Sequence, residues 1–436
     1  MKPINVGLLG IGTVGSGTFK VLQRNSEEIS RRTGCDIRLK MVADKDVSRA
    51  KAIVGDSVLI TSDANSVVSN PDIDIVIELI GGYTFAKDLI LKAISHGKHV
   101  VTANKALLAL HGNEIFAAAR AAGVTVSFEA AVGGGIPIIK ALREGLTANR
   151  IEWIAGIING TSNFILSEMR NKGSAFSDVL KEAQKMGYAE ADPTFDIEGV
   201  DAAHKLSIMA AIGFGIPVQF SKSHVEGISN LAQVDIRYAE ELGYRIKLLG
   251  IAKRKINGFE LRVHPTLIPT RQLIANVEGV MNAVLVKGDA VGQTLYYGPG
   301  AGSEPTASAV IADLVDVARM MTADPQHKVP HLAFQPDMLS SVPILPMGEV
   351  ETSYYLRLRV VDQAGVLAEI TRIFADQSIS IEALVQKEPN IGESHVDIIM
   401  LTHITLEKKI DIAINKIGAL PVVVSPIVRI RMEALH

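Results

Sequence analysis

Five carboxylates, Glu190, Asp192, Asp196, Glu198 and Asp201, crowd into twelve residues, and Lys205 follows four places after the last of them. Leu206, Ile208 and Met209 give the end of this stretch the apolar content of a packed helix, on which Asp201 and Lys205 share a face. On a solvated helix such a pair stabilises by only about 0.2–0.5 kcal/mol. Here the surrounding carboxylates suit a substrate ammonium, and a lysine kept protonated among them can act as a general acid.

Three further clusters could do chemistry. Gly10-Ile11-Gly12-Thr13-Val14-Gly15 follows an apolar strand and opens a helical stretch over 16–31. In that context Gly10 permits a tight turn, Gly12 lets a pyrophosphate approach the backbone, Gly15 allows close helix packing, and the helix N–H groups meet the phosphate charge. Asp44 ends the next strand, where an acid holds a ribose 2′-hydroxyl, but its neighbour Lys45 suits a 2′-phosphate, so NAD and NADP both stay open. Lys105 lies just past a short apolar strand at 99–101, the edge at which open α/β sheets hold ligands. Glu129 precedes Gly133-Gly134-Gly135-Ile136-Pro137, whose glycines would leave carbonyls unpaired for a hard cation or serve as a hinge. His96, His99, His204, His224 and Cys35 show no transition-metal spacing.

These residues need elements to hold them. Apolar runs at 37–43, 73–80, 99–101 and 124–128 alternate with helical stretches at 85–96 and 113–122, the pattern of a mostly parallel sheet covered on both faces. From Ile151 the pattern changes to a strand (151–158), helices (164–172, 175–186, 200–212) and alternating strands (246–252, 260–266), which predicts an α+β domain. Tyr297 to Pro305 reads as a loop too rich in Gly and Pro for helix or strand, with Thr306 capping a helix over 307–321 that returns to the first domain. Prolines at 325, 330, 336, 343 and 346 mark 323–349 as a linker. Beyond it a strand (354–361), helix (366–377), two strands (379–386, 395–402), helix (406–417) and strand (422–430) spell an independent ferredoxin-like βαββαβ module.

Composition is that of a soluble globular protein. The 436 residues predict about three domains. Lys and Arg number 44 against 47 Asp and Glu, a net charge of −3 that offers no field for nucleic acid. One cysteine rules out an intrachain disulfide and favours a reducing compartment, the cytoplasm. No apolar run reaches the roughly 18 residues of a membrane span.

Taken in order, GIGTVG (10–15), TANK (102–105), EAAVGGGIP (129–137), NGTSNFIL (159–166), GYAEADPTFDIEGVDAAHK (187–205) and YYGPGAG (296–302) resemble homoserine dehydrogenase over roughly residues 1–322, and the last segment resembles an ACT regulatory domain. The resemblance implies a Rossmann-type doubly wound domain at 1–135 with the returning helix 303–322. A substrate-binding and dimerisation domain would follow at 136–302, then the linker at 323–349 and the ACT domain at 350–432. It implies NAD(P)H-dependent reduction of L-aspartate 4-semialdehyde to L-homoserine, on the route to threonine and methionine, by a homodimer or homotetramer. Position by position, Lys205 matches the proton-donating lysine and Lys105 a second lysine near nicotinamide and substrate. Glu190 and Asp201, with Asp196 close by, match substrate carboxylates. Glu129 with the backbone of Val132, Gly134 and Ile136 matches a sodium or potassium site. Thr13, Val14, Gly187 and Gly302 match cofactor contacts. In the ACT loop Asp362 to Leu367, Ala364 stands where proline is common, and threonine is the effector the resemblance suggests. An aspartate-semialdehyde dehydrogenase would need a nucleophilic cysteine, and Cys35 precedes the second strand, away from the crevice. A non-enzymatic sensor would not need Lys205 among carboxylates.

Overall fold

Ile4–Leu9 and Ile75–Glu78 are apolar at nearly every position, so both faces of each strand must be covered, as in a parallel sheet between helix layers. The computed structural model describes residues 3–321, 328–387 and 394–435. The chain begins β1 (Ile4–Leu9), α1 (Thr13–Arg24), α2 (Ser26–Thr33), β2 (Ile37–Ala43), α3 (Val47–Val54), β3 (Leu59–Thr61), α4 (Ala64–Ser69), β4 (Ile75–Glu78), α5 (Thr84–Ser95), β5 (His99–Thr102), α6 (Lys105–Ala121) and β6 (Val126–Ser127). It continues as α7 (Ile138–Lys140), β7 (Ile151–Ile157), α8 (Gly160–Lys172), α9 (Phe176–Lys185), α10 (Thr194–Ile197), α11 (Val200–Phe214), β8 (His224–Val225), α12 (Gln233–Glu241), β9 (Tyr244–Arg254), β10 (Phe259–Pro269), β11 (Met281–Gly288), β12 (Gly292–Pro299) and α13 (Ser303–Met320). The remainder is β13 (Glu351–Val361), α14 (Val366–Asp376), β14 (Ile381–Gln386), β15 (His395–Thr402), β16 (Thr405–Leu406), α15 (Glu407–Gly418) and β17 (Val428–Met432).

The chain divides into two compact units. Unit 1 (Met1–Gly160, Asp201–Ser223 and Val280–Val342) contains a six-stranded parallel sheet in the order β3-β2-β1-β4-β5-β6, the doubly wound arrangement. α13 belongs to its core: Ala307, Val310, Ile311 and Leu314 pack in one cluster with Val6, Leu8, Phe19 and Leu22. β7, β11 and β12 pair antiparallel in the same unit.

Unit 2 (Thr161–Val200, His224–Gly279 and Pro343–His436) is built on a mixed sheet in the order β9-β10-β17-β13-β15-β14. The βαββαβ elements are present, with Leu356, Val360, Ile370, Phe374, Ile398 and Ile410 in their core. They are not an independent module. β17 pairs in parallel with β10 (Thr266 with Arg431, Leu267 with Met432) and antiparallel with β13, so a single strand is shared by two sets. Buried ion pairs hold it there. Arg431 reaches Glu226 (2.8 Å) and Glu407, and Arg262 reaches Glu433 just past the strand; a further pair, Arg357 with Asp235 (2.6 Å), ties β13 to α12.

Three local expectations change. Tyr297 to Pro299 is strand, because β12 pairs with β11 as far as Met281, and composition does not show a cross-strand partner. α13 starts at Ser303, not after Thr306, with Gly302 (φ +124°) as its N-cap and Pro305 in the first turn, where a missing N–H costs nothing. The proline-rich stretch is no solvated linker where it is described. Val126 N–H donates to His331 Nε2 (3.1 Å), Ser340 N–H to the Gly215 carbonyl (2.7 Å), and Phe259 N–H to the Pro343 carbonyl (2.9 Å). Residues 323–327 of it lie outside the described part.

Candidate active site

The glycine turn comes first in the chain. Gly10 has φ +91°, a conformation that favours glycine, and a Cβ on Gly15 would fall 2.1 Å from the Gly10 carbonyl oxygen. At Gly12 an added Cβ would meet open space, and Gly12 is the N-cap of α1 with no side-chain cap and no acid in the first turn. That leaves first-turn N–H groups and an unobstructed approach, a cradle that fits a dinucleotide pyrophosphate. Thr13 offers its carbonyl to the Ser303 hydroxyl (2.7 Å), which ties the turn to the segment carrying Gly302; the Val14 carbonyl accepts the Thr18 hydroxyl. Asp44 does not simply await a ribose. Its carboxylate accepts the Ile11 N–H (2.8 Å) and the Arg49 guanidinium (3.0 Å). Partial burial would raise its pKa, but these partners and the Asp46 N–H hold it below the ordinary value. Lys45 is exposed beside it.

The lysines converge in unit 1. β5 ends at Thr102, Asn104 caps α6 by accepting the Leu107 N–H (3.1 Å), and Lys105 is the first residue of the helix. From α11, Lys205 donates to Asp201 Oδ2 (2.6 Å) and to the Ile158 carbonyl (2.7 Å). Lys105 Nζ lies 2.8 Å from the other oxygen, Oδ1, and the Asn159 amide donates to Oδ2 (2.9 Å). Asp201 is 2% exposed, whereas Lys205 is 10% and Lys105 36% exposed in their side chains. Burial alone would raise the Asp201 pKa; the Lys205 and Lys105 charges outweigh it and hold the carboxyl well below the usual range. The i,i+4 pair is therefore buried and bridging, with two ammonium groups on one carboxylate and a net charge of +1. Next to it, burial pulls His204 down to about 4, so its ring is neutral, edge-on to Phe220 at 4.2 Å between centroids.

Glu190, Asp196 and Gly187 belong to unit 2. Glu190 is exposed; Asp196 is half-buried on α10 and accepts the Thr161 hydroxyl (3.2 Å); Gly187 has φ +76° just after α9.

Around Glu129 the expected open carbonyls are partly closed. The Gly133 carbonyl accepts the Ile136 N–H (2.9 Å), and Gly134 takes φ +55° against the backbone of Gly300. The Glu129 carboxylate caps α7, accepting the N–H groups of Ile139 (2.9 Å) and Lys140 (2.8 Å), while its own N–H donates to Asp313 on α13 (2.7 Å). Burial pushes Glu129 up to about 7 and, with the Glu129 charge added, Asp313 up to about 8. With the Glu129 side chain occupied, a cation would depend on the main-chain carbonyls of Glu129, Val132, Gly134 and Ile136, of which those of Glu129 and Ile136 already accept the N–H groups of Val132 (3.3 Å) and Ile138 (2.8 Å). Among the described residues no group of three or more His, Cys, Asp or Glu is placed to hold a metal.

Asn159 and Asp313 escape the sequence reading. Asn159 stands first in the 159–166 motif and marked itself only by position; Asp313 lies in an otherwise apolar helical face, where a carboxylate is a signal of a buried partner.

Strand order 3-2-1-4-5-6, an uncapped glycine turn behind β1 and lysines gathered past β5 define the class as a NAD(P)-dependent oxidoreductase. Residues 10–129 match the homoserine dehydrogenase NAD-binding domain, 137–315 the homoserine dehydrogenase family model and 354–422 the ACT domain. The homoserine dehydrogenase of Pseudomonas aeruginosa is 62% identical over 436 residues, all of both chains. The chain belongs to the homoserine dehydrogenase family. The crystal structure of a homoserine dehydrogenase from Thiobacillus denitrificans superposes with a TM-score of 0.96 at 68% identity, covering 100% of this chain and 99% of that one. A hyperthermophilic archaeal homoserine dehydrogenase in complex with NADPH covers 72% of this chain and 98% of its own, with a TM-score of 0.62 and 25% identity.

Proposed function

We propose that the chain reduces L-aspartate 4-semialdehyde to L-homoserine with NADPH or NADH, in the biosynthesis of threonine and methionine. The observation that carries this reading is the buried Lys105–Asp201–Lys205 bridge. Bound NAD(P)H supplies a hydride to the aldehyde carbon, which leaves an electron pair on the oxygen. The bridge, with its net charge of +1, stabilises that oxygen, and Lys205 gives it a proton to form the alcohol. Asp201 serves as a positioning residue for both ammonium groups, and with acceptor capacity left on Oδ1 its carboxylate stays a candidate ligand of the substrate as well. Glu190, with Asp196 near it, is a further carboxylate for the substrate ammonium. Gly10, Gly12, Thr13, Val14 and Gly15 cradle the pyrophosphate, with Gly187 and Gly302 as further cofactor contacts, and the NADPH held by the archaeal relative supports the nucleotide reading. A monovalent cation on the carbonyls around Glu129 would fix the α7 turn.

The division at 1–135 with 303–322, 136–302 and 350–432 stays the functional scheme, in an enzyme that works in the cytoplasm as a homodimer or homotetramer. Among the described residues no helix is long and apolar enough to cross a membrane. The ACT elements would bind an amino acid, threonine first, at α14, whose N-cap Gly365 (φ +93°) leaves the first turn without a side-chain cap. The test is NADPH oxidation with aspartate semialdehyde by the wild type and by Lys205→Ala. Loss of turnover by about 10²- to 10⁴-fold with cofactor affinity kept supports the assignment. Wild-type turnover in the folded variant overturns it.

A further inference from the structure

Glu78 ends β4 with no exposed surface. A carboxylate closed inside a parallel sheet must find donors, and here they come from two different turns. The backbone N–H groups of Ile80 (3.0 Å) and Gly81 (3.3 Å) reach it from the turn that follows its own strand, and the Thr102 hydroxyl (2.7 Å) reaches it from the end of β5. Burial raises the Glu78 pKa, and these hydrogen bonds, with a further one from Asn104, oppose the rise. Every partner is a donor, the pattern that an ionised carboxylate satisfies.

The chain of contacts goes on. Thr102 Oγ1 accepts the Asn104 N–H (3.0 Å), and the Asn104 side chain both caps α6 at Leu107 and donates to the Gly82 carbonyl (2.5 Å) in the β4–α5 turn. Gly81 and Gly82 take φ +72° and +69° in succession, so that turn has a shape other residues rarely adopt. The residue after Asn104 is Lys105. Glu78 thus hydrogen-bonds to both turns at this edge of the sheet, and Thr102 and Asn104 link it to the first turn of the helix that presents a lysine to Asp201.

We propose that Glu78 is a positioning residue for the reduction: acting through Thr102 and Asn104, it sets the first turn of α6 and with it the place of the Lys105 ammonium on Asp201. The proposal rests on Lys105 belonging to the reacting site. A catalytic group displaced by about an ångström can cost on the order of 10²-fold in rate, so a hydroxyl lost two residues before the cap should be visible in turnover.

The experiment uses the full chain and measures kcat and KM for aspartate semialdehyde, NADPH affinity by fluorescence titration, and the thermal midpoint. The variants are Glu78→Gln, Thr102→Val, Thr102→Ser, Lys105→Ala and the double variant Thr102→Val with Lys105→Ala. Thr102→Val keeps the size and removes the hydroxyl; it should lower kcat by about 10- to 10²-fold while NADPH affinity stays within about threefold. Thr102→Ser should restore most of the rate, and Glu78→Gln should fall in the same direction as Thr102→Val. In the Lys105→Ala background Thr102→Val should cost less than about twofold more, because the residue through which it acts is gone. A further loss of about tenfold in that background, or wild-type kcat in Thr102→Val, overturns the linkage. Wild-type turnover in Lys105→Ala would instead remove the reading of the site itself, so the two failures are told apart.

Discussion

Asp201→Asn separates the two roles open to this carboxylate. The substitution keeps shape and removes one negative charge from between Lys205 at 2.6 Å and Lys105 at 2.8 Å. Removing one partner of a buried pair costs about 3–5 kcal/mol. Lys105, with 36% of its side chain exposed, recovers part of its solvation from water, so the loss belongs near about 3 kcal/mol. For a unit of this size that corresponds to a fall of roughly 6–12 °C in thermal midpoint. Turnover should drop by about 10²-fold or more as Lys205 loses its place, with a small change in KM. The assay is NADPH consumption with aspartate semialdehyde, alongside thermal unfolding with and without NADPH. A substrate ligand would behave differently: KM would rise and the midpoint would stay. An Asp201→Asn protein that melts with the wild type and keeps its kcat refutes the positioning role.

The same pair of proteins gives a pH test. The folded Asp201 pKa lies below its unfolded value near 3.9, so its stabilisation is complete above that value and is lost as pH falls through the folded pKa. The difference in midpoint between wild type and Asp201→Asn should therefore be flat at neutral pH and narrow only below about pH 4, as followed by calorimetry across that range. Gly12→Val should leave the midpoint nearly unchanged, since a Cβ there meets nothing, yet abolish most NADPH binding in a fluorescence titration. Glu190→Gln should weaken homoserine binding by about 1.5–3 kcal/mol with no loss of stability, because the residue is exposed; unchanged homoserine affinity by calorimetry would remove it from the substrate site.

What could be read in advance follows from how local each cause is. Gly10 and Gly15 are dictated by one turn's backbone, and the βαββαβ order by side-chain periodicity, so both are visible in short windows. The stretch 16–31 reads as one helix but breaks at Asn25, and the three-residue strand Leu59–Thr61 is too short to show a period. Spacing put Asp201 and Lys205 on one face; it could not show that the face is buried, or that Lys105, far upstream, lands on the second oxygen. The prolines after residue 328 announced a tether because proline breaks regular structure, and nothing local tells that His331 and Leu332 find a packed surface. The shared strand was hidden for the same reason. Its partner β10 lies in another part of the sequence.

That shared strand also has a meaning in time. β10 is complete once Pro269 has been made, but the strand that pairs its Thr266–Leu267 stretch begins at Val428, 159 residues later (428 − 269). At about 5–20 residues per second, a ribosome needs roughly 8–32 s to produce it. Throughout that interval Arg262 on β10 lacks Glu433, and the stretch Thr266–Leu267 that β17 will pair stays uncovered. Nascent chains of this protein thus have a window in which this stretch is open to chaperones and to mispairing, and synthesis of β17, not of the reacting residues, sets when the sheet of the second unit can first be whole.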